Sequence, residues 1–280
     1  MSILDDSKPA SADPPTATAK RRTRADGGTP RIFALLAAGL ALFIIGPLLK
    51  LLLLSPWSGL GDVLGDGELH AAILVTLVSA STATLLAAGL GIPLAFLLAR
   101  RDFRGRPLVE GMIQIPVLIP HPVAGIALLA FLGRDTVVGG ALAAIGIEVI
   151  NHAVGLVVAM AFVATPIFVS AAQSAFQSID PRLERVARTL GDTPWSAFRR
   201  ITLPLARRGL AAGALVTWAR AVSEFGAIVV VAYHPRVASV LIYDRLTTDG
   251  LAGAVPAASL LVLVALVVVG GLAFLNRRTG

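Results

Sequence analysis

The chain has 280 residues, of which 56% are hydrophobic and only 15% charged, with a formal net charge of +7 and no cysteine. A water-soluble domain carries about 25% charged residues, so this composition excludes one and points to an integral membrane protein. The missing cysteine excludes disulfides, thiolate metal sites and cysteine nucleophiles, and the basic residues fall in gaps between apolar runs, where they read as topology signals and not as a nucleic-acid surface.

Residues 1–30 are rich in Ser, Thr, Pro, Ala and Asp and hold the basic run Lys20 to Arg24. Too little apolar surface is present there to offset chain entropy, which predicts a disordered cytoplasmic tail before a membrane domain over 31–280. The first apolar run, Ile32 to Leu54, is too long for a signal-peptide core and matches the ~20 residues needed to cross a bilayer. Five further runs follow at about Leu69–Ala99, Met112–Leu132, Ala153–Phe176, Leu210–Ala232 and Val255–Leu275. The expected fold class is therefore all-α, with six transmembrane helices. On the second run Thr76, Ser79, Ala80 and Ala83 make a small-residue face, suited to close helix packing or to lining a path. The third run, with Pro116, Pro120 and Pro122 around His121, is expected to kink or break.

Arginine and lysine crowd the N-terminal tail, the stretch Arg100 to Arg106, the stretch Arg182 to Arg208 and the C-terminus, whereas the alternate loops hold only Arg134, Arg236 and Arg245. The positive-inside rule then places both termini and the 180–208 segment in the cytoplasm of a multi-pass protein of the cell membrane.

That segment is the longest polar interruption in the chain. Asp180 precedes Pro181 as a helix cap, and Leu183, Val186, Ala187 and Leu190 recur at helical spacing. Gly191 supplies a left-handed stop, Thr193-Pro194 restarts a helix, and Trp195, Phe198 and Ile201 form a second apolar face that Pro204 is expected to end. Two short amphipathic helices meeting at a glycine suit a groove on another protein or, equally, an anionic lipid surface.

No catalytic constellation is present. The four histidines His70, His121, His152 and His234 stand singly, and Lys8, Lys20 and Lys50 all lie outside a phosphate-binding Gly-Lys-Ser/Thr loop. The residues Gly59, Gly61 and Gly65 suggest a flexible outer loop. The chain is thus expected to be no enzyme, to hold no metal or cofactor, and not to hydrolyse ATP by itself. Inside the fifth run, Arg220 and Glu224 lie four residues apart, one helical turn, with Ser223 beside them. Charges at such depth are costly and either form a structural ion pair or line an aqueous path. The segment Tyr233 to Asp249, with Arg236, Asp244 and Arg245, is expected as an outer loop that contacts a partner or shapes an outer gate.

Gly191, nine intervening residues, then Ile201, Thr202, Leu203 and Pro204 resemble the cytoplasmic loop of ATP-binding-cassette importer permeases, E-A-A-x-x-x-G followed after nine residues by I-x-L-P. Register from Gly191 puts Arg185 where that family has Glu, followed by Val186 and Ala187, with Glu184 one position early. The stretch from Trp218 to Ala227 is similar to the fifth-span signature of molybdate, tungstate and sulfate permeases. Those from Ile115 to Ile126 and from Ala232 to Arg245 resemble the tungstate/molybdate branch. The resemblance implies a permease homodimer in the lipid bilayer, two ATP-binding-cassette ATPase subunits inside, and a periplasmic or lipid-anchored oxyanion-binding protein outside. It implies coupling through Glu184, Arg185, Ala187, Leu190, Gly191, Trp195, Ile201, Leu203 and Pro204, and alternating access for a tetrahedral oxyanion. A sulfate or thiosulfate permease, and an ion-coupled secondary transporter using Arg220 and Glu224, stand as alternatives.

Overall fold

The computed structural model describes residues 31–55 and 65–278, and they are helical with short connections. The predicted tail over 1–30 and the residues Gly59 and Gly61 lie outside the described residues. The chain divides into a unit ending at Leu49 and a unit from Lys50 onward. The first contains most of α1 (Arg31–Leu54), an apolar helix with Pro47 inside it.

In the second unit, α2 (Gly67–Arg100) and α6 (Ala153–Gln177) are the long helices and pack on each other most extensively. Asp66 caps α2 by accepting the Leu69 N–H at 3.0 Å. The expected small-residue face of α2 is used for packing: Thr76, Ser79, Ala80 and Ala83 are all buried. The Thr76 hydroxyl donates to the Ala72 carbonyl at 2.7 Å and accepts the Ala238 N–H at 2.9 Å, so it closes two polar needs inside an apolar contact. Two large clusters, with a smaller one of Leu69, Ala72, Leu241 and Ala257, make the interior of the described residues. One large cluster joins Ala83, Leu156, Met160, Ile228 and Val240, and the other joins Ala95, Leu98, Phe168, Phe176 and Phe198.

The proline-rich third run breaks as expected. Here α3 (Arg106–Leu118) and α4 (His121–Leu132) meet at Ile119-Pro120 with a bend of 113°. The short helix α5 (Val137–Ala144) follows, capped by Thr136. Among the described residues four helices are long and apolar enough to cross a membrane, or five if the bent pair is one span.

The fifth predicted run departs from expectation. Instead of one helix over Leu210–Ala232, α9 (Leu203–Val222) stops at Ser223 and α10 (Gly226–Val231) starts anew. Arg207, Arg208 and Arg220 lie on α9, so it is not uniformly apolar. The segment Tyr233 to Asp249 also differs from the expected loop: α11 begins at Ala238 and runs to Arg278, with a kink at Gly250, whose φ is 69°.

Candidate functional site

Two regions carry polar chemistry at helix breaks, and a third ties helix ends together. The first is the 180–208 segment. Asp180 accepts the Arg182 N–H at 2.8 Å and starts α7 (Pro181–Thr189). Gly191, at φ +101°, turns the chain, and open space surrounds the position a Cβ would take. Thr193 then caps α8 (Pro194–Ala197) by accepting the Ser196 N–H at 3.1 Å. One wide turn of the i→i+5 kind over Phe198–Thr202 carries the chain directly into α9. Pro204 therefore does not end the second helix. It sits in the first turn of α9, directly after the wide turn that accommodates its missing N–H.

Glu184 is the hub of this region. Its carboxylate accepts from Arg100 at 2.9 Å and from the Thr202 hydroxyl at 2.8 Å, and Arg100 also donates to the Ile179 carbonyl at 3.2 Å. The Arg100 and Glu184 side chains are only 10% and 18% exposed. One carboxylate thus ties the C-terminal end of α2, the middle of α7 and the start of α9. Arg185 is exposed, so the acidic residue one position early makes the internal bridge. Sequence reasoning missed Arg100 and Thr202. Arg100 reads only as a topology charge, and nothing in local spacing pairs it with Glu184 across 84 residues.

The second short helix is anchored by aromatics. The Phe198 ring is buried, edge-on to Phe96 at a centroid distance of 4.7 Å, and stacked on Trp195 at 5.5 Å. Trp195 remains 68% exposed and Leu190 83%, with Leu183 and Val186 also exposed; of the α7 apolar positions only Ala187 is buried. Ile201 and Leu203 are half-buried. A groove of about 680 Å³ lies between the Pro93 to Arg101 end of α2 and the Pro194 to Leu203 stretch.

The second region is the break between α9 and α10. Arg220 donates to Glu224 at 2.8 Å, so the two residues do form an ion pair, although Glu224 lies beyond the end of the helix that holds Arg220. The other Glu224 oxygen accepts the Ala227 N–H at 2.8 Å, which satisfies a donor at the start of α10. Arg220 also contacts His121 Nε2 and lies 3.5 Å from Ser223 Oγ. Backbone approaches closely here: a Cβ on Gly226 would stand 2.7 Å from His121 Cβ, and one on Gly125 2.9 Å from the Ala227 carbonyl. His121, read from sequence as an isolated boundary histidine, is thereby placed in the polar site. Beside Ser223, a cavity of about 600 Å³ opens between the end of α9 and α11.

The third region joins the starts of α2 and α11. Arg245 pairs with Asp66 at 2.6 Å, Arg236 with Glu68 at 2.7 Å, and Arg236 Nε faces Asp244 Oδ2 at 3.5 Å. Tyr233 donates its hydroxyl to Asp244. Burial pushes the Asp66 carboxyl up, but the Leu69 N–H and Arg245 outweigh it and hold the group below the usual carboxylate range. The hydroxyl bond to Asp244, with burial, raises the Tyr233 phenol above its ordinary value. Arg236 and Arg245 are thus already paired within the chain.

The family model described as "Binding-protein-dependent transport system inner membrane component" matches residues 91–280. The molybdate/tungstate transport system permease protein of Thermococcus kodakarensis is 38% identical over 237 residues, covering 84% of this chain and 91% of that protein. The sulfate transport system permease protein of Escherichia coli is 32% identical over 217 residues, covering 74% and 78%. In fold, the chain is similar to a chain of a bacterial ABC transporter involved in the import of alginate, with a TM-score of 0.70 over 89% of this chain and 95% of that one, at 22% identity.

Proposed function

Because the chain belongs to the family of binding-protein-dependent transport system inner membrane components, we propose that it is the permease subunit of an importer for tetrahedral oxyanions, molybdate or tungstate foremost. The observation that carries this is the 38% identity to a molybdate/tungstate permease along nearly the whole membrane domain. The similarity at 32% to a sulfate permease supports sulfate as the second substrate class.

In this reading the membrane domain over 31–280 makes six crossings. The α3–α4 pair counts as one, α9 with α10 as another, and both termini face the cytoplasm. Two copies assemble around a central path. ATP hydrolysis resides on separate ATP-binding-cassette subunits, and an oxyanion-binding protein delivers the substrate from outside. The exposed Leu183, Val186, Leu190 and Trp195 cover themselves in a groove of the ATP-binding subunit. Neither α7 nor α8 is long enough to be stable alone, since isolated helices below ~12–15 residues are marginal in water. Closure of the ATP-binding subunits moves α7, and the Glu184 hub passes that movement to α2 through Arg100 and to α9 through Thr202. The outer ion cluster, with Arg236, Asp244 and Arg245, sets the outer gate, where the two arginines bind Glu68 and Asp66 at the start of α2 and Asp244 faces Arg236.

The test is co-purification of the chain with its ATP-binding subunit, followed by ATP hydrolysis with each loaded oxyanion-binding protein. Stimulation by molybdate or tungstate supports the reading. ATP hydrolysis that no oxyanion alters, or transport by the chain without an ATPase, contradicts it.

A further inference from the structure

His121 is the first residue of α4, set between Pro120 and Pro122, and it comes against the end of α9, 99 residues later in sequence. The charged groups gathered there are arranged as a front and a back. At the back, Glu224 is 1% exposed and both its oxygens are occupied, one by the Ala227 N–H and one by Arg220. At the front, the Arg220 side chain is 22% exposed, and His121 and Ser223 beside it are exposed as well. The anion is buried with both oxygens occupied, whereas the cation is left partly exposed, so N–H groups of the guanidinium remain open at the front. A guanidinium has donors and no acceptor, so the His121 nitrogen that faces it accepts, and Nδ1 carries the ring proton. The Ser223 hydroxyl donates to the Arg220 carbonyl at 3.0 Å, a bond it can exchange by rotation.

We propose that His121, Arg220 and Ser223 form a transit site for a doubly negative tetrahedral oxyanion, with buried Glu224 as the counter-charge that keeps residence there short. This rests on the oxyanion-permease reading and adds to it a residue, His121, and a division of roles. The oxyanion offers only acceptors. Arg220 meets it with a fork of N–H groups, Ser223 with its hydroxyl, and His121 with Nδ1–H once Arg220 has turned from the ring to the anion. Glu224 already balances one positive charge, so the site attracts the dianion through local donors and not through net charge. A path needs binding favourable enough for entry and weak enough for exit. His121 is a positioning residue in the empty site, since it holds the guanidinium at the front, and becomes a ligand when the anion arrives.

The chain has no cysteine, so Ser223→Cys introduces its single thiol. The experiment uses the full complex with its ATP-binding subunit and binding protein, reconstituted in vesicles. The Ser223→Cys chain is labelled with an anionic and a cationic methanethiosulfonate of similar size. The anionic reagent is expected to react several-fold faster, with molybdate slowing it during turnover. The preference is expected to vanish in Ser223→Cys/Arg220→Gln, to fall in Ser223→Cys/His121→Leu, and to be retained in Ser223→Cys/His121→Gln, where an acceptor and a donor remain. Equal rates for the two reagents, labelling indifferent to molybdate, or a thiol inaccessible to both overturns the transit site. Molybdate uptake by vesicles with the unaltered chain is measured in parallel: absent uptake overturns the permease reading itself, whereas uptake with a charge-blind thiol overturns only the site.

Discussion

Glu184→Gln is the sharpest perturbation of the cytoplasmic segment. The substitution keeps the shape, removes the charge facing Arg100, and leaves that guanidinium nine-tenths covered without a counter-ion. Breaking a fully buried pair costs about 3–5 kcal/mol and an exposed one about 0–1. With 10% and 18% of the two side chains exposed, a cost of about 2 kcal/mol is the appropriate discount. At 1.4 kcal/mol per factor of ten, that shifts the docking of α7 on α2 by roughly thirtyfold. The assay is oxyanion transported per ATP hydrolysed in reconstituted vesicles, read together with retention of the ATP-binding subunit. Glu184→Gln and Arg100→Gln are both expected to lower the transport yield while the subunit stays bound. The exchange Arg100→Glu with Glu184→Arg is expected to recover part of it, as coupled neighbours do in a double-mutant cycle. If Arg100→Gln is neutral while Glu184→Gln uncouples, Glu184 acts on the partner directly and the internal hub is refuted.

Other consequences are as direct. Gly191→Val is expected to leave the chain inserted but to lower both retention of the ATP-binding subunit and coupled ATP hydrolysis. No described residue meets the added Cβ, so the intrinsic cost is the left-handed penalty of ~1–2 kcal/mol, and a larger effect locates the partner at this turn. Leu190→Asp lies on an exposed residue and is expected to change stability by less than ~0.5 kcal/mol while weakening subunit retention, measurable by co-purification. The Asp66–Arg245 pair carries a pH signature. A carboxyl held below its ordinary value of 3.8 stabilises the folded chain above that pH and loses this contribution as pH falls through the folded value. Acid melting curves in detergent are therefore expected to differ between the unaltered chain and Asp66→Asn above about pH 4 and to converge below it. A reporter active only outside is expected to work when fused near Gly140 or Asp249 and to be silent near Arg104 or Pro194.

What the sequence makes legible is what local chemistry decides. The caps Asp180 and Thr193, the left-handed Gly191 and the break among Pro116, Pro120 and Pro122 are set by neighbouring residues, and the structure has each of them. What stays hidden is decided at a distance. Pro204 reads equally as a stop or as a first-turn residue, and only the wide turn over Phe198–Thr202 makes it the latter. The stop after Val222 has no glycine or proline to announce it; Glu224, caught between Arg220 and the Ala227 N–H, holds it. Arg236 and Arg245 look free in sequence because their partners Asp66 and Glu68 lie some 170 residues earlier. The same holds for the Arg100–Glu184 bridge and for the placement of His121 against Arg220.

The central claim, that this chain carries an oxyanion on energy supplied by another subunit, is tested most directly by uptake of labelled molybdate into vesicles. Vesicles containing the chain alone, the chain with its ATP-binding subunit, and both with the oxyanion-binding protein are compared with and without ATP on the cytoplasmic face. Uptake only in the complete, ATP-supplied vesicles is the predicted result, and uptake by the chain alone, driven by an ion gradient, is the result that contradicts it.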